Sequence, residues 1–489
     1  MRRLLLPLAL VPALLLAGCT ASNPEPPRPT APALRPAIGG TTVVVAGASA
    51  AERAVEASRA LFAAAPGVVL APVGDPGTQR AAATTAKRLH VPMLLVPGSG
   101  GSPSPSTGPA AAEAHRLGAR WSVGPGLRIA GLRPQSAART EPEPAPRPGA
   151  VVVATPGDED IAALATAAAA GARVVRLPEG TDVNGDAGTV RALSGAKDAR
   201  AVLIGRPFAE RKDLAWAVTA ARTGWTYADG TQRAWSGRSL HVALYGTPGA
   251  RALGVLGHQG GAATIARVRS LSSQYAALTD RTVSPMLEVI ATVAAGGPTD
   301  DGDYSGEVDA ERLEPFVDAA LAAHVPVILD LQPGRQDFLS QAKQYAGLLG
   351  RPGVGLALDP EWRLGPKQRP LVQIGRVSAG EVNRTSAWLA DLVRTRGLPP
   401  KPFVLHEFRL TMLQDRSSIV VDRPELDTLI HVDGQGGQPD KQATWRAVRQ
   451  GAPRVGWGWK NFLEKDHPVL SPKQTLQQVH PTPDLITYQ

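Results

Sequence analysis

The C-terminal half of the chain carries eight short apolar runs separated by helical stretches, and this rhythm limits the fold more than any other feature. The runs fall at residues 240–245, 286–293, 325–331, 354–358, 403–408, 428–432, 455–459 and 485–488. Stretches of helical periodicity lie between them, at 262–277, 310–323, 338–349, 381–396 and 442–450. Eight strands alternating with helices over about 250 residues have the size and rhythm of a (β/α)8 TIM-type barrel. The barrel is expected over residues 235–489. An open doubly wound sheet is the competing arrangement.

The first half reads as α/β as well. Strands are expected at 42–46, 68–71 and 92–96, with helices at 50–64 and 79–89. A proline-rich break at 133–149 contains Glu141-Pro142-Glu143-Pro144 and reads as a linker. The pattern then restarts with strands at 150–154, 172–177 and 201–204 around a helix at 159–170. The fold class is therefore α/β: two small Rossmann-like domains, at 40–132 and 150–215, followed by the barrel. No Gly-x-Gly-x-x-Gly follows the first strand, which argues against dinucleotide binding. Asp182-Val183-Asn184-Gly185-Asp186 opens like a calcium loop but has no later glutamate to close it.

Ahead of these domains the chain starts with Arg2 and Arg3, an apolar stretch and Leu16-Ala17-Gly18-Cys19. The apolar stretch is shorter than the roughly 20 residues that span a bilayer, so residues 1–18 read as a secretory signal. Leu-Ala-Gly-Cys resembles a bacterial lipobox. The resemblance implies cleavage before Cys19, lipidation of its sulfur and a location on the extracytoplasmic face of the cell membrane. Residues 19–39, rich in Pro, Ala, Ser and Thr, then form a disordered tether. Cys19 is the single cysteine, so the mature chain has no internal disulfide. The heavy use of Ala, Gly, Pro and Arg looks like a high-GC actinobacterial genome. The net charge of +9 is dispersed and no nucleic-acid motif is present, so a nucleic-acid partner is not expected.

Residues 69–97 contain Gly74-Asp75, the alanine-rich 82–86 and Pro92-Met93-Leu94-Leu95. This segment resembles the type 2 cell-wall-binding repeat of Gram-positive surface proteins, which implies a wall polymer as partner. Where that family has a Pro-Asp-Ala-Leu element, this chain has Asp75-Pro76-Gly77-Thr78.

In a (β/α)8 barrel the chemistry sits at the C-terminal ends of the strands. Here those ends read Leu329-Asp330-Leu331-Gln332, Leu358-Asp359-Pro360-Glu361-Trp362, Leu405-His406-Glu407-Phe408-Arg409 and His431-Val432-Asp433-Gly434-Gln435. The seventh run adds Trp457, Trp459, Lys460 and Asn461. Carboxylates at successive strand ends are costly to bury without a ligand or cations. Asp330, Asp359, Glu361, Glu407 and Asp433 are therefore the candidate catalytic groups. Asp359 and Glu361, two apart on a strand, are expected to face the same side, with Asp359 raising the pKa of a general acid at Glu361. This resembles the Asp-x-Glu of retaining chitinases and barrel-type phage lysozymes, which implies glycan hydrolysis. The further aspartate of the chitinase pattern is Ala357 here. Trp362, Trp457 and Trp459 are expected to stack on sugar faces, with Lys460, His406, Arg409 and Gln435 as further substrate contacts.

The expected function is a cell-envelope lipoprotein whose barrel acts on a wall or extracellular glycan. A non-catalytic glycan-binding protein is one alternative. With no His-x-His and no His-Glu-x-x-His, no metal or other cofactor is expected. His406, Glu407, Asp330, Asp433 and Asp359 would still suit zinc or manganese, and His431, two residues before Asp433, could share its face, which keeps a metal-dependent hydrolase as the second alternative.

Overall fold

The computed structural model describes residues 29–36, 40–98, 108–145, 149–155 and 157–489. Residues 1–18, the expected signal segment, and Cys19 lie outside the described residues. No helix among those described is long and apolar enough to cross a membrane.

Eight parallel strands close into a barrel. They are β1 (Ser239–Gly246), β2 (Thr282–Ala294), β3 (Val327–Leu331), β4 (Val354–Leu358), β5 (Lys401–His406), β6 (Leu426–Val432), β7 (Gly456–Asn461) and β8 (Leu485–Tyr488). Each pairs with the next, and β1 pairs with both β2 and β8, which closes the ring and excludes an open sheet. Helices α1 (Gly261–Ala276), α2 (Ala310–Ala322), α3 (Phe338–Gln344), α4 (Ala379–Thr395), α5 (Gln438–Arg449) and α6 (Pro472–Gln478) cover its outside. The β5–β6 connection has no such helix; it holds the short strand Leu413–Gln414, paired with Val377–Ser378, and the single turn Arg416–Ser418.

Side chains alternate across each strand, so the barrel has two cores. Leu240, Val242, Leu244, Leu287, Val289, Leu329, Leu356, Phe403 and Leu405 pack outward against the helices. Ala243, Met286, Ile328, Ala357, Val404, Leu429 and Leu485 fill the interior. Each fully buried Leu, Ile, Val or Phe contributes roughly 1.5–3 kcal/mol.

The N-terminal end of the barrel is sealed. Tyr227 and Ala234 join the interior cluster. Buried His241 lies edge-on to Tyr227 and Trp235, at ring separations of 5.1 and 5.2 Å. Arg233 bridges Asp427 of the barrel, at 2.8 Å, to Asp182 of the N-terminal half. The Trp216 indole donates to the Leu398 carbonyl at 3.0 Å, so the two halves share a packed joint.

The N-terminal half contains two four-stranded parallel sheets. One runs Met93–Val96, Gly67–Pro72, Trp121–Val123, Arg133–Gln135. The other runs Thr42–Val45, Arg200–Ile204, Ala150–Ala154, Arg173–Arg176. Strand Thr42–Val45, which precedes the expected linker at 133–149, thus pairs in the sheet of the segment that follows it. Alanine-rich helices Ala50–Leu61 and Ile161–Ala169 lie in one core between the sheets, beside Leu70, Leu94, Val152 and Val202. Within the expected tether, Ala33–Leu34 pairs antiparallel with Phe62–Ala64. Arg133–Gln135, inside the expected linker, is an edge strand.

Candidate active site

Strand alternation fixes what lines the open, C-terminal end. Continuing the interior parity of Ala243, Met286, Ile328, Ala357, Val404, Leu429 and Leu485 by two residues gives Tyr245, Glu288, Asp330, Asp359, His406, His431 and Thr487. On β7 the inward positions are Gly458 and Lys460. The apolar interior therefore ends in a ring of polar side chains, all nearly or fully buried.

His406 is the hub of this ring. Its Nδ1 lies 2.8 Å from Asp433 Oδ2, and its Nε2 lies 2.8 Å from Glu288 Oε1 and 3.9 Å from Asp330 Oδ1. Tyr245 donates its hydroxyl to Asp330 Oδ2 at 2.6 Å. His431 contacts Thr487 Oγ1 through Nε2 at 3.0 Å, and its Nδ1 is 3.8 Å from Glu288 Oε2. The Lys460 ammonium sits 3.4 Å from the centre of the Tyr245 ring and 4.0 Å from Asp433 Oδ2. Gly458 makes room for His431, because a Cβ there would fall 2.4 Å from the imidazole Cδ2.

The electrostatics divide these groups. Burial resists charge on His406, but Asp433 and Glu288 outweigh it and hold the imidazole well above its usual pKa. Burial alone would raise Asp433, yet His406 and Lys460 bring it down to about 2. Glu288 is lowered for the same reason, against burial, by His406 and His431. Burial takes His431 down to about 3 and leaves it neutral. It pushes Asp330 up to about 6 and Asp359 well above the carboxylate range. Glu361, half-buried at the mouth, is raised to about 7 by burial and then by the charge of Asp433.

Of the expected catalytic residues, Asp330, Asp359, Glu361 and Asp433 converge at this end. Asp359 and Glu361 do not share a strand face. β4 stops at Leu358, and Pro360–Trp362 forms a single helical turn whose Glu361 amide donates to Asp359 Oδ1 at 3.2 Å. Glu407 is turned out of the ring. Its Oε2 accepts from Arg416 at 2.8 Å, and that guanidinium also donates to the Val448 and Gln450 carbonyls at the end of α5.

Two of the three tryptophans also point away. Since Lys460 faces inward, Trp457 and Trp459 face the helix layer. They meet Trp445 of α5 edge-on at 6.0 and 5.7 Å. Trp459 is 1% exposed and donates to Asn461 Oδ1. Trp362 is half-buried beside Glu361, while Arg409 and Gln435 are exposed.

Glu288, Tyr245 and Thr487 are members of the ring that motif reasoning passed over. Their signal was available: each is a polar residue at inward parity within an apolar strand. Glu288, His406 and His431 each offer one ligand atom, all within 4.8 Å of one another.

In comparisons with known proteins, no family model and no curated sequence matches the chain. The structure places Glu361, a carboxyl raised to about 7, at the same end of the barrel as Asp433, which is lowered to about 2 and hydrogen-bonded to His406.

Proposed function

We propose that the chain is an envelope-anchored hydrolase that cleaves a wall or extracellular glycan by carboxylate acid/base catalysis at the open end of its barrel. The observation that carries this reading is Glu361. It sits at the mouth, on a turn pinned by Asp359, with its carboxyl raised to about 7. A carboxyl of that acidity is half-protonated near neutral pH, where a general acid works best.

Asp433 supplies the second carboxylate. Its Oδ2 is fixed by His406, and its Oδ1 has no partner. In the proposed reaction the glycosidic C–O bond breaks and the leaving oxygen takes the Glu361 proton. Water supplies the hydroxyl of the new reducing end and leaves its other proton on the Asp433 carboxylate, from which solvent returns Glu361 to its protonated form. Trp362, beside Glu361, offers an indole face for a sugar ring. The repeat-like segment at 69–97 supports a wall polymer as the substrate class, and the lipobox-like Cys19 supports a membrane anchor. Release of new reducing ends from purified wall glycan tests the reading. The full-length protein should generate them and Glu361→Gln should not.

A further inference from the structure

The ring at the barrel mouth leaves a pattern of unpaired atoms that the acid/base reading does not use. Glu288 Oε2, His431 Nδ1 and Asp330 Oδ1 have no hydrogen-bond partner, and all three residues are 0% exposed. Buried polar atoms without partners are costly, and native proteins rarely keep several in one place. The opposite atom of each neighbouring group is anchored. His406 Nδ1 is held by Asp433, His431 Nε2 by Thr487 and Asp330 Oδ2 by Tyr245. Glu288, His406 and His431 thus each offer an atom to one place, within 4.8 Å of one another, where His406 Nε2 meets Glu288 Oε1 at 2.8 Å and Asp330 Oδ1 lies 3.9 Å from that nitrogen.

That is the arrangement of a metal centre with its outer shell in place. Metal-bound histidines characteristically place the other ring nitrogen against a carboxylate or another fixed polar group, which sets tautomer and orientation. Bond lengths of about 2.0–2.2 Å to nitrogen and oxygen put neighbouring ligands on one tetrahedral ion about 3.3–3.6 Å apart. The 2.8 Å between His406 Nε2 and Glu288 Oε1 and the 3.8 Å between His431 Nδ1 and Glu288 Oε2 bracket that spacing. Gly458 provides the room, since any side chain there would displace the His431 ring.

We infer that Glu288, His406 and His431 bind one divalent transition-metal ion, with Asp330 Oδ1, 3.9 Å from His406 Nε2, as a neighbour outside the three ligands. Two imidazoles with a carboxylate suit zinc or manganese better than calcium or magnesium. The ion takes the place of the proton between His406 and Glu288. Lys460 stays outside the ligand set, on the face of Tyr245.

Metal binding is measured on the full-length protein without any glycan, so its failure and the failure of the hydrolase reading are separable. The protein is stripped with a chelator, dialysed and titrated with Zn²⁺ and with Co²⁺ as a spectroscopic probe. One ion per chain is expected, with visible Co²⁺ bands of a nitrogen and oxygen site. His431→Gln and Glu288→Gln should abolish both. Thr487→Val, which removes only the outer partner of His431, should weaken binding about 10–100-fold. A folded wild type that takes up no Zn²⁺ or Co²⁺ overturns the inference. So does binding unchanged in His431→Gln, which would place the ion elsewhere, such as on the acidic loop of Asp301, Asp303 and Glu307. Should His431→Gln fail to fold, a folded Thr487→Val with wild-type affinity overturns it equally.

Discussion

Asp359 accepts the backbone amide of Glu361 at 3.2 Å, and this hydrogen bond sets the turn that carries the proposed acid. Pro360, the first residue of the turn, has its φ fixed in advance and no amide hydrogen to lose. Asp359 is buried and held well above the usual carboxylate range, so it acts here as a neutral acceptor. Asn preserves that acceptor and Ala does not. Asp359→Ala should lose about 1 kcal/mol of stability together with most turnover. Asp359→Asn should stay within about 0.5 kcal/mol of wild type. Urea unfolding of the three proteins measures the difference.

Trp459 belongs to the core. It lies between β7 and α5, edge-on to Trp445 at 5.7 Å. Trp459→Ala should cost about 3–5 kcal/mol of stability. Glycan affinity of the folded fraction should be unchanged. A variant as stable as wild type but weaker in binding would return Trp459 to the pocket wall.

His241 gives the sealed end of the barrel a pH response. Burial lowers its pKa to about 4, below the usual value of 6.5. The unfolded chain therefore binds a proton more readily than the folded one between those values. Stability is complete above about pH 6.5 and falls as pH drops toward about 4, by up to about 1.4 kcal/mol per pH unit. His241→Gln keeps a donor for the Ala234 carbonyl and should flatten this decline. Denaturation midpoints across that range would show it, and an unchanged slope would count against a neutral buried His241.

The barrel was legible because its strands are short apolar runs with regular spacing. The runs at 354–358 and 485–488 coincide with β4 and β8 to the residue. The site was legible only in part. Asp330, Asp359, His406 and Asp433 stand at strand ends, where position alone marks them. Glu288 hides inside the long apolar β2, and only counting by twos from Met286 brings it into the interior. The same count places Lys460 inward, and hence Trp457 and Trp459 outward. Glu407 follows inward His406 directly, so it turns to Arg416. The strand exchange in the N-terminal half was not legible, since parallel pairing joins residues far apart in sequence and leaves no local trace.

Cys19 is the proposed anchor. Each buried methylene of a lipid chain contributes about 0.8 kcal/mol to membrane binding. Cys19→Ala should move the protein from the membrane fraction to the soluble one, or stop its processing. Fractionation with a mass measurement decides this. A variant as membrane-bound and as processed as wild type would refute the lipid anchor.

The central claim is that Glu361 gives its proton to a glycosidic oxygen. The most direct measurement is the rate of reducing-end formation from purified wall glycan, as a function of pH, for wild type and Glu361→Gln. The acid must be protonated to act, so the wild-type rate should be high below about pH 7 and fall above it. Glu361→Gln should be slower by about 10²–10⁴-fold and lack that limb, while still binding the glycan. A wild type that binds glycan but forms no reducing ends would contradict the account, as would a Glu361→Gln variant that keeps the wild-type rate and pH profile.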